Sequence, residues 1–161
     1  MYKLLLFTLL AGVVMLMQAL QTDEELAMHT LFQGKHAVNR AAHAAAQQLD
    51  SEELARGRFR IDPMLAGDAA GRYLQANLLL DDSYQPVADS FLKSRVDVLA
   101  FEIINSGESF PYTYTNSAYG YEVTLQRPGV VMIIRMEYPR MFGILGPVVW
   151  DVKGTGELTA K

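Results

Sequence analysis

Cysteine is absent from the chain. Disulfide frameworks, thiolate zinc sites and iron–sulfur sites are therefore excluded, and any folded domain here must be held by its core alone. Basic runs are absent as well, and the net charge is −4. Nucleic acid demands clustered Lys and Arg to neutralise phosphates, so no nucleic-acid partner is expected. The nearest basic cluster, Arg56, Arg58 and Arg60, alternates as one face of a strand would. No G-x-S-x-G, H-E-x-x-H, P-loop or dinucleotide fingerprint occurs.

Histidine is scarce, and all three residues fall seven apart, at His29, His36 and His43. Seven residues of helix rise about 10.5 Å, too far for one ion to bridge. They read as a polar stripe, with a pH-sensitive assembly contact as the sharper alternative. Glu25 precedes His29 by four and is placed to pair with it.

One catalytic pattern needs weighing. Ser90-Phe91-Leu92-Lys93 matches S-x-x-K. Tyr114-Thr115-Asn116 and Lys153-Gly154-Thr155-Gly156 loosely resemble the second and third motifs of penicillin-recognising serine enzymes. Those enzymes need a helical subdomain between the first two motifs, and roughly 20 residues cannot contain one; Gly154 also stands where a hydroxyl residue belongs. Glu102 and Glu137 sit in strand patterns, and Glu102 beside Arg135 in a cross-strand salt bridge is the simplest account. No catalytic residue, cofactor or metal is expected, and the chain does not read as an enzyme.

What the chain has is a long apolar start. Leu4 to Leu20 (LLLFTLLAGVVMLMQAL) carries no charge. Its seventeen residues rise roughly 25 Å as helix, the short end of a membrane span. Lys3 and the α-amino group precede it; Asp23, Glu24 and Glu25 follow. The positive-inside rule puts the N-terminus in the cytoplasm and the remainder outside the cell membrane. A cleaved signal peptide is the competing reading, and the best cleavage pattern is Met17-Gln18-Ala19, with a large residue where a small one belongs.

Residues 21–50 are rich in Ala, lack Pro and read as an amphipathic helix. Thr22 with Glu25 matches a capping box, which allows a break near residue 21; an unbroken rod is the alternative. Phe7, Leu10, Val14, Met17, Met28, Leu31, Val38, Ala42 and Ala45 follow a spacing of threes and fours and form the candidate assembly seam, with Gln21, Glu24 and Lys35 interrupting it. Ala37, Ala41 and Ala45 form a row of small side chains that lets another backbone approach closely. That second half packing on its own domain is the alternative.

Residues 51–161 read as an outer head. Gly57–Asp62 reads as a short strand. Asp62-Pro63 then opens a helix striped by Leu65, Ala69, Tyr73 and Leu80, with Ala66, Ala70, Leu74 and Leu78 beside them, ending at Asp81-Asp82. A connector holding Pro86 follows. Period-two strands follow around 96–101, at Tyr112 and Tyr114, over 119–125 and 130–138, and at Val148, Trp150 and Val152. Turns are expected at Ser106-Gly107, Arg127-Pro128-Gly129 and Lys153-Gly154. Helices followed by antiparallel strands give an α+β class: a transmembrane anchor (1–20), an amphipathic helix (21–50) and a small head (51–161).

An apolar helix running into an Ala-rich amphipathic helix and a small α+β head resembles type IV pilin-like proteins, most nearly the tight-adherence (TadE-like) minor pilins. The stretch RPGVVMIIRMEYPRMFGILGPVVWDVKGTGEL, residues 127–158, is similar to their closing pattern of strand, Pro, apolar link and last strand. The resemblance implies self-association through the N-terminal helix into a filament or its base, contact with other pilus or envelope proteins, and a head displayed outward. The chain departs from the family at Leu5, near the place where pilins carry Glu; the first Glu is Glu24. A monomeric single-pass accessory protein, its outer domain bound to another envelope protein, is the alternative.

Overall fold

Apolar residues with no Pro or cap between them leave nothing to stop a helix, and α1 (Tyr2–Ala46) runs unbroken through the expected membrane exit. A computed structural model describes residues 2–105, 107, 109–142 and 146–159. The capping box does not form. The N–H groups after residue 21 already have carbonyls one turn back, and the Thr22 hydroxyl instead donates to the Gln18 carbonyl at 3.0 Å. From Asp23 onward α1 buries one face, at Ala27, Thr30, Gly34, Ala37, Val38, Ala41, Ala42, Ala45 and Ala46.

The expected strand at 57–62 does not form; before it lies a short helix, α2 (Ser51–Ala55), whose N-cap Asp50 accepts from the Glu52 and Glu53 amides at 3.0 and 3.2 Å. Only an isolated bridge, Leu49 to Ile61, remains of the strand. Gly57 turns the chain at φ 75°, and the Arg row does not alternate on a sheet: Arg56 and Arg58 both converge on Glu53, at 2.9 and 2.5 Å. Hydrogen bonds from Arg58, then its charge and Arg56, outweigh partial burial and hold the Glu53 carboxyl at about 2. A depressed acid contributes order above its unfolded value and loses it as pH falls through the folded one. This turn should therefore persist well below pH 4 and loosen only near pH 2, read from NMR shifts of the Arg56 and Arg58 guanidinium groups.

α3 (Pro63–Leu78) starts as expected: Asp62 accepts from the Met64 and Leu65 amides at 2.8 and 3.0 Å, with Pro63 in the first turn. It stops short of Asp81-Asp82, because Leu79 adopts a left-handed conformation at φ 53°. Ala66, Ala69, Ala70, Leu74 and Leu78 are buried, whereas Leu65 and Tyr73 face solvent.

β1 (Asp97–Ile104), β4 (Gly129–Tyr138) and β5 (Val148–Glu157) form an antiparallel sheet in the order β1-β4-β5. β2 (Tyr112–Asn116) and β3 (Tyr121–Leu125) form a separate hairpin joined by a 3-10 turn, Ser117–Tyr119. Central β4 is covered on both sides, which is why its sequence is an almost continuous apolar run. Val130, Met132, Ile134 and Met136 join the core made by α1 and α3. Val131 faces the other way, with Ile104 and Leu125, under Phe110, Tyr112, Tyr114 and Tyr121. Three of the four clustered tyrosines thus build a second core, and Tyr121 Oη bonds Thr155 Oγ1 on β5 at 2.7 Å. The class is α+β. Ser106 of one expected turn, and positions 143–145 of the apolar link, lie outside the described residues.

The expected turn at Lys153-Gly154 is instead strand interior. β5 continues because α1 lies on it. A Cβ added at Gly154 would stand 2.5 Å from Val38 Cγ1, and one at Gly156 would stand 2.6 Å from the Ala42 carbonyl carbon and oxygen. Two glycines at period two on the strand face the small side chains of the helix, and the two backbones close together.

Candidate functional site: the free helix and the clamp at its exit

Seventeen uncharged residues cannot bury themselves against a head that lies beyond their end, so the first half of α1 stands free. It is long and apolar enough to cross a membrane, and none of its most apolar window is buried in the head. Phe7 is 70 % exposed, and Leu10, Val14 and Met17 are open along the same half. A contiguous apolar surface of this extent marks a membrane or a protein partner.

The remaining seam residues divide. Met28 is exposed, and so is Phe32, one turn on, which the three-four spacing did not single out. Leu31 is half-buried against the core. Val38, Ala42 and Ala45 are fully buried. These last three are not open to a partner: the head's own sheet and α3 occupy that face, because the small residues that suit a partner helix also suit β5. The alanine row at 37, 41 and 45 serves the same internal packing.

Where the free half meets the head, a polar cluster fastens it. Asp23 is 3 % exposed. Its carboxylate accepts from the Met141 amide at 2.7 Å, Arg140 Nη1 at 3.0 Å and Tyr138 Oη at 3.2 Å. Arg140 also lies 3.6 Å from Glu24 and donates from Nε to the Gly146 carbonyl at 3.0 Å. Burial pushes the Asp23 carboxyl up, but the Met141, Arg140 and Tyr138 hydrogen bonds outweigh it and hold the group below the ordinary aspartate range. Burial, with the neighbouring Asp23 charge, pushes the Tyr138 hydroxyl up. Tyr138 stacks on Trp150 with ring centroids 6.4 Å apart. The sequence showed Asp23 only as one of three acids after the span; the pairing to a residue 117 positions away had no local signal.

The residues weighed for chemistry have structural partners. Buried Ser90 donates from Oγ to the Leu78 carbonyl at 2.8 Å and accepts from the Leu92 amide at 3.2 Å, while Lys93 is exposed. Ser90 ties the connector to the end of α3. Ser90→Ala should cost about 1–2 kcal/mol in denaturant unfolding, because one buried carbonyl and one amide lose their partner. Arg135 pairs with Asp151 across β4–β5, Nε to Oδ1 at 2.8 Å, and not with Glu102, whose neighbour on β4 is Val131. His29, His36 and His43 are all exposed, and no metal-competent cluster occurs among the described residues. Glu25 and His29 form no ion pair among the described residues. No family model matches the chain, and no curated protein or solved structure matches it.

Proposed function

We propose that this chain is a pilin-like, membrane-anchored subunit that self-associates through the free half of α1. Its N-terminus lies in the cytoplasm and its head on the outer face, and it carries out no chemical step of its own. The observation that supports this most is the division of α1: one half is built into the head, while the uncharged half projects with its large side chains unpaired. Within lipid, apolar helices gain little from hydrophobicity, so contacts along Phe7, Leu10, Val14 and Met17 would rest on shape. In a filament clear of lipid, burying the same side chains is worth about 1.5–3 kcal/mol each. Met28 and Phe32 extend that surface past the membrane exit.

Electron microscopy of full-length protein, sheared gently from cells, tests the reading. Regular filaments are expected. The triple change Leu10→Ala, Val14→Ala, Met17→Ala keeps the span uncharged and the chain in the membrane fraction, and should abolish them. Dispersed monomers from the unaltered chain, with the head retaining a different envelope protein, would replace this reading with that of a single-pass accessory protein.

A further inference from the structure

The span is short, and the head has an apolar end where the span stops. Seventeen residues rise about 25 Å, against a hydrocarbon core of about 30 Å. A shortfall of roughly 5 Å draws flanking residues to the lipid boundary. Asp23, the first charge after the span, is three residues past Leu20, about 4.5 Å along the axis. Helical side chains lean toward the N-terminus, so its carboxylate points back toward the span. There it is covered by Tyr138, Arg140 and the Met141 amide.

That cover comes from the segment after β4. β4 runs down the head from Gly129, opposite Glu157, to Tyr138, opposite Val148. β5 lies on α1 with Gly156 against Ala42, Gly154 against Val38 and Val152 near Gly34. The lower end of the β4–β5 pair therefore meets α1 beside the span's exit. Met141 is 68 % exposed there, and Phe142 and Val149 are exposed with it. The chain's sole Trp, Trp150, stacks on Tyr138 at the same end. Arg140 holds a left-handed backbone, φ 45°, which is strained for a non-glycine residue and persists only where its surroundings impose it. Its ion pair and its bond to Gly146 impose it here.

We infer that the end of the head formed by Met141, Phe142 and Val149 seats in the lipid interface beside α1, held at that depth by the Asp23 clamp. The inference rests on the membrane-anchor reading above. It commits to the boundary between headgroups and acyl chains rather than to an anionic headgroup. Arg140 is spent on Asp23 and Glu24 and Arg135 on Asp151, and the neighbouring charges without a salt bridge among the described residues are acidic, Glu25 and Glu137, the latter opposite Val149. The apolar end supplies the layer that the short span lacks.

The absence of cysteine makes single-site labelling direct. Full-length Met141→Cys, Arg127→Cys and Val14→Cys proteins, each carrying an environment-sensitive dye, are placed in phosphatidylethanolamine–phosphatidylglycerol vesicles. Spin-labelled lipids then serve as quenchers at two depths. The dye at 141 should be quenched most by a label near the headgroups, and should be several-fold less open to a water-soluble quencher than the dye at 127, at the far end of β4. The pattern should not change with salt or phosphatidylglycerol content. Adding Asp23→Leu with Arg140→Met to Met141→Cys removes the clamp without leaving a charge unpaired and should return the dye to water, with Val14→Cys still quenched from the bilayer centre. A dye at 141 as open to water as that at 127, or shielded without lipid quenching as a protein contact would do, overturns the inference while the Val14 signal keeps the anchor. Loss of the Val14 signal overturns both.

Discussion

Asp23→Ala should lower the unfolding free energy of the head by about 3–5 kcal/mol, the effect of removing one partner from a buried ion pair. Most of the loss comes from what is left behind: a tyrosine hydroxyl and a backbone amide turned toward a site with no acceptor, and a guanidinium left with only the exposed Glu24 and the Gly146 carbonyl. Against a typical total of about 5–15 kcal/mol, that is a large share, and it brings a domain at the low end of the range close to its unfolding midpoint. Asp23→Asn should cost less, since an amide oxygen still accepts from Met141 and Tyr138. The double change Asp23→Leu, Arg140→Met should also cost less than Asp23→Ala, because no charge remains unpaired. Denaturant midpoints of the detergent-solubilised full chain measure all three. Acid gives an independent check. The Asp23 carboxyl is held below the ordinary aspartate range, so its contribution is complete above the unfolded value and is lost as pH falls through the folded one. The unaltered chain should lose this increment below about pH 4, and Asp23→Asn should lack that part of its acid dependence.

Gly156→Val should be comparably damaging, and for a steric reason. Even a first carbon at that position would stand 2.6 Å from the Ala42 carbonyl and the His43 amide nitrogen. Those are backbone atoms of a long helix and cannot turn aside, so α1 itself must lift from β5. Overpacking of this kind costs about 1–3 kcal/mol, occasionally more, and the γ-methyls of valine put it at the top of that range. The alanine at the same site should fall lower in it. Two other glycines set the scale. Gly34 faces the flexible end of Met136, which can move, so Gly34→Ala should cost less than Gly156→Ala. Gly67 lies inside α3 with nothing within 4 Å of an added Cβ, so Gly67→Ala should stabilise the protein by about 0.5–1 kcal/mol. Equal losses at Gly156 and Gly34, measured by thermal or denaturant unfolding, would contradict close backbone packing as the cause.

These two sites show where the sequence was silent. Elements that rest on local chemistry follow from the residues alone. An uncharged apolar run without Pro makes a helix long and apolar enough to cross a membrane. Asp62-Pro63 starts α3 because a carboxylate reaches two amides in the next turn. Val130 to Tyr138 forms a strand because its branched side chains suit a pleated, doubly covered ribbon. The misread elements were those settled by distant partners. Lys153-Gly154 looks like a turn until a helix more than a hundred positions earlier lies across it. Arg56 and Arg58 look like a strand face until Glu53 gathers them into a turn. Val38, Ala42 and Ala45 carry the same spacing as Phe7, Leu10 and Val14. Periodicity states that a helix has a face to bury, not what will bury it. That the sheet covers the later face and leaves the earlier one open is a matter of tertiary packing: the head begins beyond the span and fully buries no described residue of α1 before Asp23, where the segment after β4 is tied down.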